Sequence, residues 1–337
     1  MHKAAQWFGR SVLFAATVMM AGSAAVAAEP LKIGLLLTVT SGPVFIAKEK
    51  GLFAAEGFDA EIVPFDAGQP VAVAAVSGAI DFGVAGVTSA LYTLAGEGAL
   101  KIVGGSTYDR PGFHAAGVLA SSRAYGDGLT SLKSLGGHSV ALTQIGSTYH
   151  YALAILAEKF GVDMKTIRAV PVQSFANVAS AVSGGTVDAG VFTTTGAAPL
   201  LAQGSAKLLA WVGEEVPWQV SAAWTATKTA NERSDTVVRF LRALRKGSEA
   251  YNAAFVQDGV RKDGPTAPEI VAIIRKYVKL SDEQVRDNAG YADPELRLDV
   301  KDVQRQIDWY RSQGMLKGEV TLDQVLDRRY VVALPGT

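Results

Sequence analysis

The sequence contains no cysteine among its 337 residues. A chain without cysteine has no disulfide framework, no zinc–thiolate site, no thiol nucleophile and no lipobox residue to acylate. Histidine is also scarce, and His114, His138 and His150 lie at spacings that match no common metal motif. We therefore expect no metal site and no cofactor, and interpret these histidines as surface or hydrogen-bonded residues.

The sequence also lacks an excess of charge and the common catalytic motifs. Its 32 basic residues balance its 32 acidic residues, so it has no excess of positive charge of the kind that binds nucleic acid. It contains no G-x-S-x-G, H-E-x-x-H, P-loop or G-x-G-x-x-G pattern. These absences favour a binding protein over an enzyme, although a dispersed catalytic triad would leave no such motif.

One apolar run, at the N-terminus, has the features of a secretory signal peptide. Lys3 and Arg10 precede the apolar stretch 11–22, and Ala25 to Ala27 supply small residues for cleavage. We predict a signal peptide over residues 1–28. An uncleaved anchor is the alternative, but the run is shorter than the roughly 20 apolar residues that span a bilayer. Cleavage removes two basic residues and no acid, so 30 bases face 32 acids, a net charge of about −2.

Strands and helices alternate along the remaining chain. Apolar strands are predicted at 31–37, 60–65 and 82–84, with a helix over 44–56 and a short Ala/Val helix ending near Gly78. Alternation of this kind is typical of right-handed βαβ units and a parallel sheet, so the fold class is α/β.

The same order of elements returns about a hundred residues later. Gly57-Phe58-Asp59 corresponds to Gly161-Val162-Asp163, an offset of 104, and the segment from Ala75 to Asp81 corresponds to that from Ala181 to Asp188, at offsets of 106 and 107. A nearly constant offset predicts two equivalent α/β lobes. Ligands of open α/β sheets bind at the carboxyl ends of the strands, so two facing lobes predict a cleft between them.

Several segments resemble a known family. They are Lys32-Ile33-Gly34, Ser41-Gly42-Pro43, the stretch Ala47 to Gly57 (AKEKGLFAAEG) and the stretch Ser77 to Val84 (SGAIDFGV). They are similar to the sulfonate, taurine and nitrate group of periplasmic solute-binding proteins of ABC importers, which is related in fold to proteins that bind or make the thiamine pyrimidine. The resemblance covers essentially the whole mature chain.

The resemblance implies a two-lobed periplasmic binding protein of type II (Venus flytrap) with two crossover hinge segments. We expect the crossovers near 107–119 and 212–223, lobe one over 29–110 and 221–337, and lobe two over 111–220. The C-terminal third should complete lobe one, with Val300, Val303, Ile307 and Tyr310 as one packed helix face. The implied partners are a small-molecule ligand and an inner-membrane ABC permease with its ATPase; the protein itself should be a periplasmic monomer.

The first candidate ligand-binding residues lie in polar turns that introduce helices, because helix N-termini present unpaired amide donors and a positive dipole end to anions. Others follow from topology: Thr88, Ser89, Thr193 and Thr194 lie beyond equivalent strands, and Ser174 and Asn177 occupy the turn that matches Gln69. An ordinary N-cap role is the alternative for Ser41 and Ser147. Tyr108 and Arg110 fall at the first crossover, where Arg110 could close over an anion or brace the hinge. Trp218 could stack on a flat ligand or pack between lobes. The full set is Thr40, Ser41, Gly42, Gly68, Gln69, Thr88, Ser89, Tyr108, Arg110, Gly146, Ser147, Thr148, Ser174, Asn177, Thr193, Thr194 and Trp218.

These observations favour capture of a small organic anion, a sulfonate, nitrate or carboxylate, including aromatic ones. A neutral pyrimidine or thiamine precursor remains an alternative, since hydroxyls and Gln69 would also serve it. A pyrimidine-synthesising enzyme on the same fold is disfavoured, because the family's enzymes use a cysteine-rich motif that this chain does not contain. A secreted sensor subunit would use the same two-lobed clamp.

Overall fold

Two five-stranded sheets with the same internal order organise the chain. The computed structural model describes residues 27–336, so nearly all of the predicted signal peptide lies outside the described residues. The strands are β1 (Glu29–Leu35), β2 (Phe58–Pro64), β3 (Phe82–Gly86), β4 (Leu100–Gly105), β5 (Thr107–Asp109), β6 (Ala116–Ser121), β7 (Ser139–Leu142), β8 (Arg168–Pro171), β9 (Ala189–Thr193), β10 (Ala206–Trp211), β11 (Trp218–Gln219), β12 (Ser221–Ala226), β13 (Val256–Gln257), β14 (Val260–Arg261) and β15 (Tyr291–Ala292).

Helices follow most strands and continue alone after β12. They are α1 (Gly42–Glu49), α2 (Leu52–Ala55), α3 (Gly68–Val76), α4 (Ser89–Gly96), α5 (Ser122–Gly126), α6 (Thr148–Phe160), α7 (Phe175–Ser183), α8 (Thr194–Ala202), α9 (Val212–Glu215), α10 (Thr227–Glu232), α11 (Ser234–Phe255), α12 (Ala267–Arg275), α13 (Asp282–Asp287), α14 (Val300–Ser312) and α15 (Leu322–Val325). No helix in this described part of the chain is long and apolar enough to cross a membrane.

The two sheets have equivalent strand orders. The first is β2-β1-β3-β12-β4 and the second, read in the same direction, is β8-β7-β9-β6-β10. In each, the first three strands are parallel, while β12 and β6 run antiparallel to their neighbours. The prediction of a purely parallel sheet is therefore wrong in one strand per lobe, because β6 and β12 enter their sheets from the other lobe.

The duplicated Asp81 and Asp188 make equivalent hydrogen bonds in the two lobes. The Asp81 carboxylate accepts a hydrogen bond from the Lys32 amide at 2.8 Å, and the Asp188 carboxylate accepts one from the Ser139 amide at 2.9 Å. Burial acts to raise the pKa of Asp188, but hydrogen bonds from Ser139 and Arg123 outweigh it and hold that pKa well below its usual range. Each acid therefore joins the start of the central strand, β3 or β9, to the neighbouring strand, β1 or β7, so this role is structural.

The first predicted helix, 44–56, is two helices in the structure. α1 ends at Glu49 and α2 begins at Leu52, because Gly51 between them has φ +67°, in the left-handed region that ends a helix. The matching helix of the second lobe, α6, is continuous from Thr148 to Phe160 and ends at Gly161, with φ +69°.

The C-terminal third packs on both lobes. α11 lies against α1 and α2, and its Phe240 stacks on Phe82 at 3.8 Å between ring centroids. α14 packs between α4 and α6, with Val303, Ile307 and Tyr310 fully buried. Thus α11 packs on helices next to the first sheet, whereas α14 contacts helices next to both sheets.

Two crossover segments join the sheets, one between β4 and β6 and the other between β10 and β12. They meet in a small sheet of order β11-β5-β15. The fully buried Asp109 connects them, since its carboxylate accepts from the Ala115 amide at 3.0 Å and from Trp218 Nε1 at 3.1 Å. Burial raises the pKa of Asp109 to about 7, although these donors oppose the shift.

Candidate functional site

A cavity lies between the two sheets, at the carboxyl ends of their strands. The empty space between its walls, including the open mouth, is about 570 Å³. Its lining comes from both lobes: Leu36, Thr38, Thr40, Ser41, Gly68, Val84, Ala85, Gly86, Thr88, Ser106, Thr107, Thr143, Ser147, Thr148, Tyr149, Phe175, Thr193, Val220 and Ser221. In the part of the chain that the structure describes, no charged side chain lines this cavity.

Six helices of eight or more residues begin at the cavity wall. They are α1, α3 and α4 from the first lobe and α6, α7 and α8 from the second. The N-cap or first residue of each lines the cavity: Ser41, Gly68, Thr88, Ser147, Phe175 and Thr193. The first turn of each carries the positive end of a helix dipole and amide donors that the helix itself does not satisfy. Their convergence supplies positive potential without a buried cation.

Three of the lining hydroxyls are N-caps, and one of them is Ser147, for which the sequence left this role open. Thr88 Oγ1 accepts from the Leu91 amide at 3.2 Å, Ser147 Oγ from the His150 amide at 3.2 Å, and Thr193 Oγ1 from the Gly196 amide at 2.9 Å. A hydroxyl that accepts in this way keeps its own proton for another acceptor. Capping and ligand recognition are therefore compatible, and the caps make the cavity rich in hydrogen-bond donors.

Ser41 behaves differently from Ser147. It makes no side-chain cap bond to α1; its hydroxyl donates to the Leu36 carbonyl at 2.7 Å and lies 3.1 Å from Thr38 Oγ1. Thr40 Oγ1 lies 3.0 Å from the same Thr38 hydroxyl. These three hydroxyls form a short chain along one wall of the cavity.

One corner of the cavity is aromatic. The rings of Tyr149 and Phe175 meet edge to face, with centroids 5.2 Å apart and planes at 87°. Burial raises the pKa of Tyr149, which keeps its hydroxyl neutral. A second, more open cavity shares Leu36, Thr38, Phe175 and Thr193 with the first. Its further walls are Leu37, Pro64, Phe65, Asp66, Ser174, Ala176, Thr195 and Gly196.

The predicted site residues fall into groups. Thr40, Ser41, Gly68, Thr88, Ser147, Thr148 and Thr193 line the main cavity, and Ser174 lines the second. Gln69, Ser89 and Gly146 lie at direct contacts between the lobes: Gln69 Nε2 donates to the Ile145 carbonyl at 2.9 Å, and the Ser89 amide donates to the Gly146 carbonyl at 2.9 Å.

Six other predicted residues do not line either cavity. Arg110 stacks its guanidinium on Tyr291, 4.0 Å from the ring centroid, and bonds the Gly259 carbonyl, so it braces the crossover through rings and not through a carboxylate. Trp218 is fully buried against Asp109. Gly42 packs against Tyr251, and Tyr108 pairs with Gln219 and Tyr291 in the small sheet. Asn177 donates a hydrogen bond to the Val172 carbonyl, and Thr194 donates one to the Asn288 carbonyl.

The chain's relationships to known proteins agree with this architecture. The family described as NMT1/THI5 like matches residues 39–254, more than half of the sequence and most of both lobes. The chain belongs to the NMT1/THI5-like family. No curated protein sequence matches the chain significantly.

Solved structures with the same fold include periplasmic binding proteins. The alkanesulfonate-binding protein SsuA of Xanthomonas axonopodis pv. citri, bound to MOPS, is 22% identical, with a TM-score of 0.72 over 92% of this chain and 100% of its own. The aliphatic sulphonate-binding SsuA of Escherichia coli is 19% identical, with a TM-score of 0.70 over 92% and 94%. The nitrate-binding NrtA of Synechocystis PCC 6803 is 16% identical, with a TM-score of 0.68 over 88% and 84%. This NMT1/THI5-like chain therefore has the two-lobed periplasmic binding-protein fold.

Sequence reasoning missed several lining residues of this NMT1/THI5-like cavity. Thr38 and Thr143 are 105 positions apart and follow the equivalent strands β1 and β7, so the duplication itself could have identified them. Ser106, Thr107 and Ser221 line the cavity from the crossovers, where the repeat stops and no sequence signal marks the wall. In the described residues no group of His, Asp or Glu could hold a metal ion.

Proposed function

We propose that this protein is the periplasmic solute-binding component of an ABC importer and captures a small organic anion between its lobes. The observation that carries the proposal is a cavity lined by hydroxyls and six helix starts, with no acidic side chain among its lining residues. A cavity that offers hydroxyl and amide donors but no carboxylate suits an oxyanion, because the oxygens of an oxyanion accept several hydrogen bonds at once.

Within the anions, an organic sulfonate fits this arrangement best. Three equivalent oxygens can accept bonds from hydroxyls of both lobes, among them Thr88, Ser147 and Thr193. The aromatic corner at Tyr149 and Phe175 and the apolar walls of the second cavity, such as Phe65, suit a carbon tail of ring size. Nitrate would leave these apolar walls without a partner.

The ligand class is tested by a thermal-shift and calorimetric panel at fixed pH and salt. The panel contains methanesulfonate, benzenesulfonate, benzoate, nitrate and a neutral aminopyrimidine. A ligand at 100 times its Kd stabilises the native state by about 2.7 kcal/mol, so binding raises the melting temperature by several degrees. We expect benzenesulfonate to bind tightest and methanesulfonate more weakly. Binding of the pyrimidine alone would contradict the anion proposal and support the neutral alternative.

In the same assay, Phe175→Ala distinguishes the contribution of the ligand's tail to binding from that of its sulfonate headgroup. Removal of this ring should weaken benzenesulfonate binding about tenfold and change methanesulfonate binding by less than about twofold, because a lost aromatic contact and its apolar area cost on the order of 1–2 kcal/mol. Equal losses for both ligands would show that the ring does not contact the tail.

Delivery to a permease follows from the same two-lobed geometry. Ligand contacts from both lobes favour the closed arrangement, so closure reports occupancy to a membrane partner. In proteoliposomes that contain the cognate permease and ATPase, the loaded protein should stimulate ATP hydrolysis. A histidine-kinase partner with no permease would instead support the sensor alternative.

A further inference from the structure

Among the hydrogen bonds that join the lobes, four connect the turns at the rim of the cavity. On one side, Gln69 Nε2 donates to the Ile145 carbonyl at 2.9 Å, the Ser89 amide to the Gly146 carbonyl at 2.9 Å, and Thr148 Oγ1 to the Val87 carbonyl at 2.7 Å. On the other side, the Val39 amide donates to Thr195 Oγ1 at 3.0 Å. In every pair one residue belongs to each lobe.

The turn that carries Ile145 and Gly146 is built for close approach. Gly146 has φ +77°, in the region that favours glycine. A Cβ at this position would lie 2.2 Å from Ser89 Oγ and 3.4 Å from Gln69 Nε2. A side chain at residue 146 would therefore force Ser89, and with it this contact between the lobes, to shift.

We propose that Gln69, Ser89 and Gly146 form a latch that holds the lobes closed and so sets ligand affinity without touching the ligand. None of the three is among the residues that line the main cavity, although the sequence places them in its rim turns. The latch rests on the proposed function only in one respect: its effect on affinity is measured with the ligands proposed above. Gln69 is thus a positioning residue, and its amide recognises the opposite lobe.

The latch has a distinctive energetic signature. If only the closed arrangement binds tightly, the apparent Kd is the intrinsic Kd divided by the closed fraction. A latch variant lowers that fraction before any ligand arrives, so it weakens every ligand by the same factor. A variant of a residue that touches the ligand instead changes the ratio between ligands.

The first experiment compares two variants across two ligands. Gln69→Ala should weaken methanesulfonate and benzenesulfonate by the same factor, about threefold to tenfold for one lost hydrogen bond. Phe175→Ala provides the contrast, since its effect should depend on the tail. A Gln69→Ala effect confined to one ligand would overturn the latch and make Gln69 a ligand contact.

The second experiment uses glycines with matched backbone strain. Gly146→Ala should weaken both ligands about 100-fold, because the added carbon separates the latch. Gly161→Ala is the control: φ is +69°, the residue ends α6, and a Cβ there meets nothing within 4 Å. The control should lose stability but keep wild-type affinity. Equal affinities for the two alanine variants would contradict the latch.

Small-angle scattering without ligand distinguishes failure of the latch from failure of the proposed function. We expect Gly146→Ala and Gln69→Ala to have a larger radius of gyration than the wild type, while Gly161→Ala matches it. If no sulfonate binds any protein but the latch variants still expand, the ligand assignment fails and the latch stands. If all four proteins scatter identically, the latch is wrong.

Discussion

Replacing Gly86 by valine should weaken ligand binding by 100-fold or more while the protein stays folded. Gly86 ends β3 at the cavity wall, and a Cβ there would lie 2.4 Å from Thr148 Oγ1 of the opposite lobe. Overpacking of this kind costs about 1–3 kcal/mol when the neighbours cannot move. Here the lobes can separate, so the closed arrangement becomes less populated and the ligand binds more weakly. Calorimetry with benzenesulfonate measures it.

The control for this substitution is Gly104→Ala in β4 of the same sheet. A Cβ at residue 104 meets only ordinary contacts, the nearest 3.5 Å from Leu241 Cδ2. We expect this variant to bind benzenesulfonate as the wild type does, with a similar melting temperature. Tight binding by Gly86→Val would mean that the lobes need not approach this closely, which contradicts a cavity shared between them.

The second large effect is a pH dependence of stability centred on Asp109. Its pKa rises from 3.8 to about 7 because burial disfavours the carboxylate. A raised pKa means that the native state keeps its proton where the unfolded chain has lost it, so this contribution to stability is complete below about pH 4 and is lost as the pH rises to about 7. At 1.36 kcal/mol per pH unit, the loss is on the order of 4 kcal/mol.

Comparison with Asp109→Asn isolates this contribution from those of other acids. The asparagine amide does not titrate, so the wild-type advantage in free energy of unfolding should shrink between pH 5 and pH 8. Urea denaturation at several pH values gives that difference directly. A constant difference across this range would show that the four amide and indole donors around Asp109 keep it ionised throughout.

The duplication made much of the fold predictable from the sequence. The recurrence of the Ala-Val-Ser-Gly segment before Asp81 and Asp188 identified two lobes, because both acids fasten an equivalent strand. The break at Gly51 was not predictable, since a glycine within an apolar helical pattern can be tolerated or can end the helix. The antiparallel strands β6 and β12 occupy equivalent positions in the two sheets, but they were missed because each follows a crossover from the other lobe.

The part of the cavity lining that was predicted lies in polar turns at the ends of strands and the starts of helices. Thr88 and Thr193 followed from their positions just beyond equivalent strands, and Ser147 from the polar turn that introduces α6. Gln69 and Arg110 show where this reasoning stops. Proximity in sequence to a rim turn does not tell whether a long side chain points to the ligand, to the opposite lobe or, as for Arg110, to aromatic rings.

A crystal structure of the protein with benzenesulfonate tests the central claim most directly. We expect the sulfonate oxygens within 3.2 Å of hydroxyls or amides from both lobes, Thr88 on one side and Ser147 on the other, with the phenyl ring against Tyr149 and Phe175. A sulfonate bound by one lobe alone, or outside the cavity between the sheets, would contradict the account.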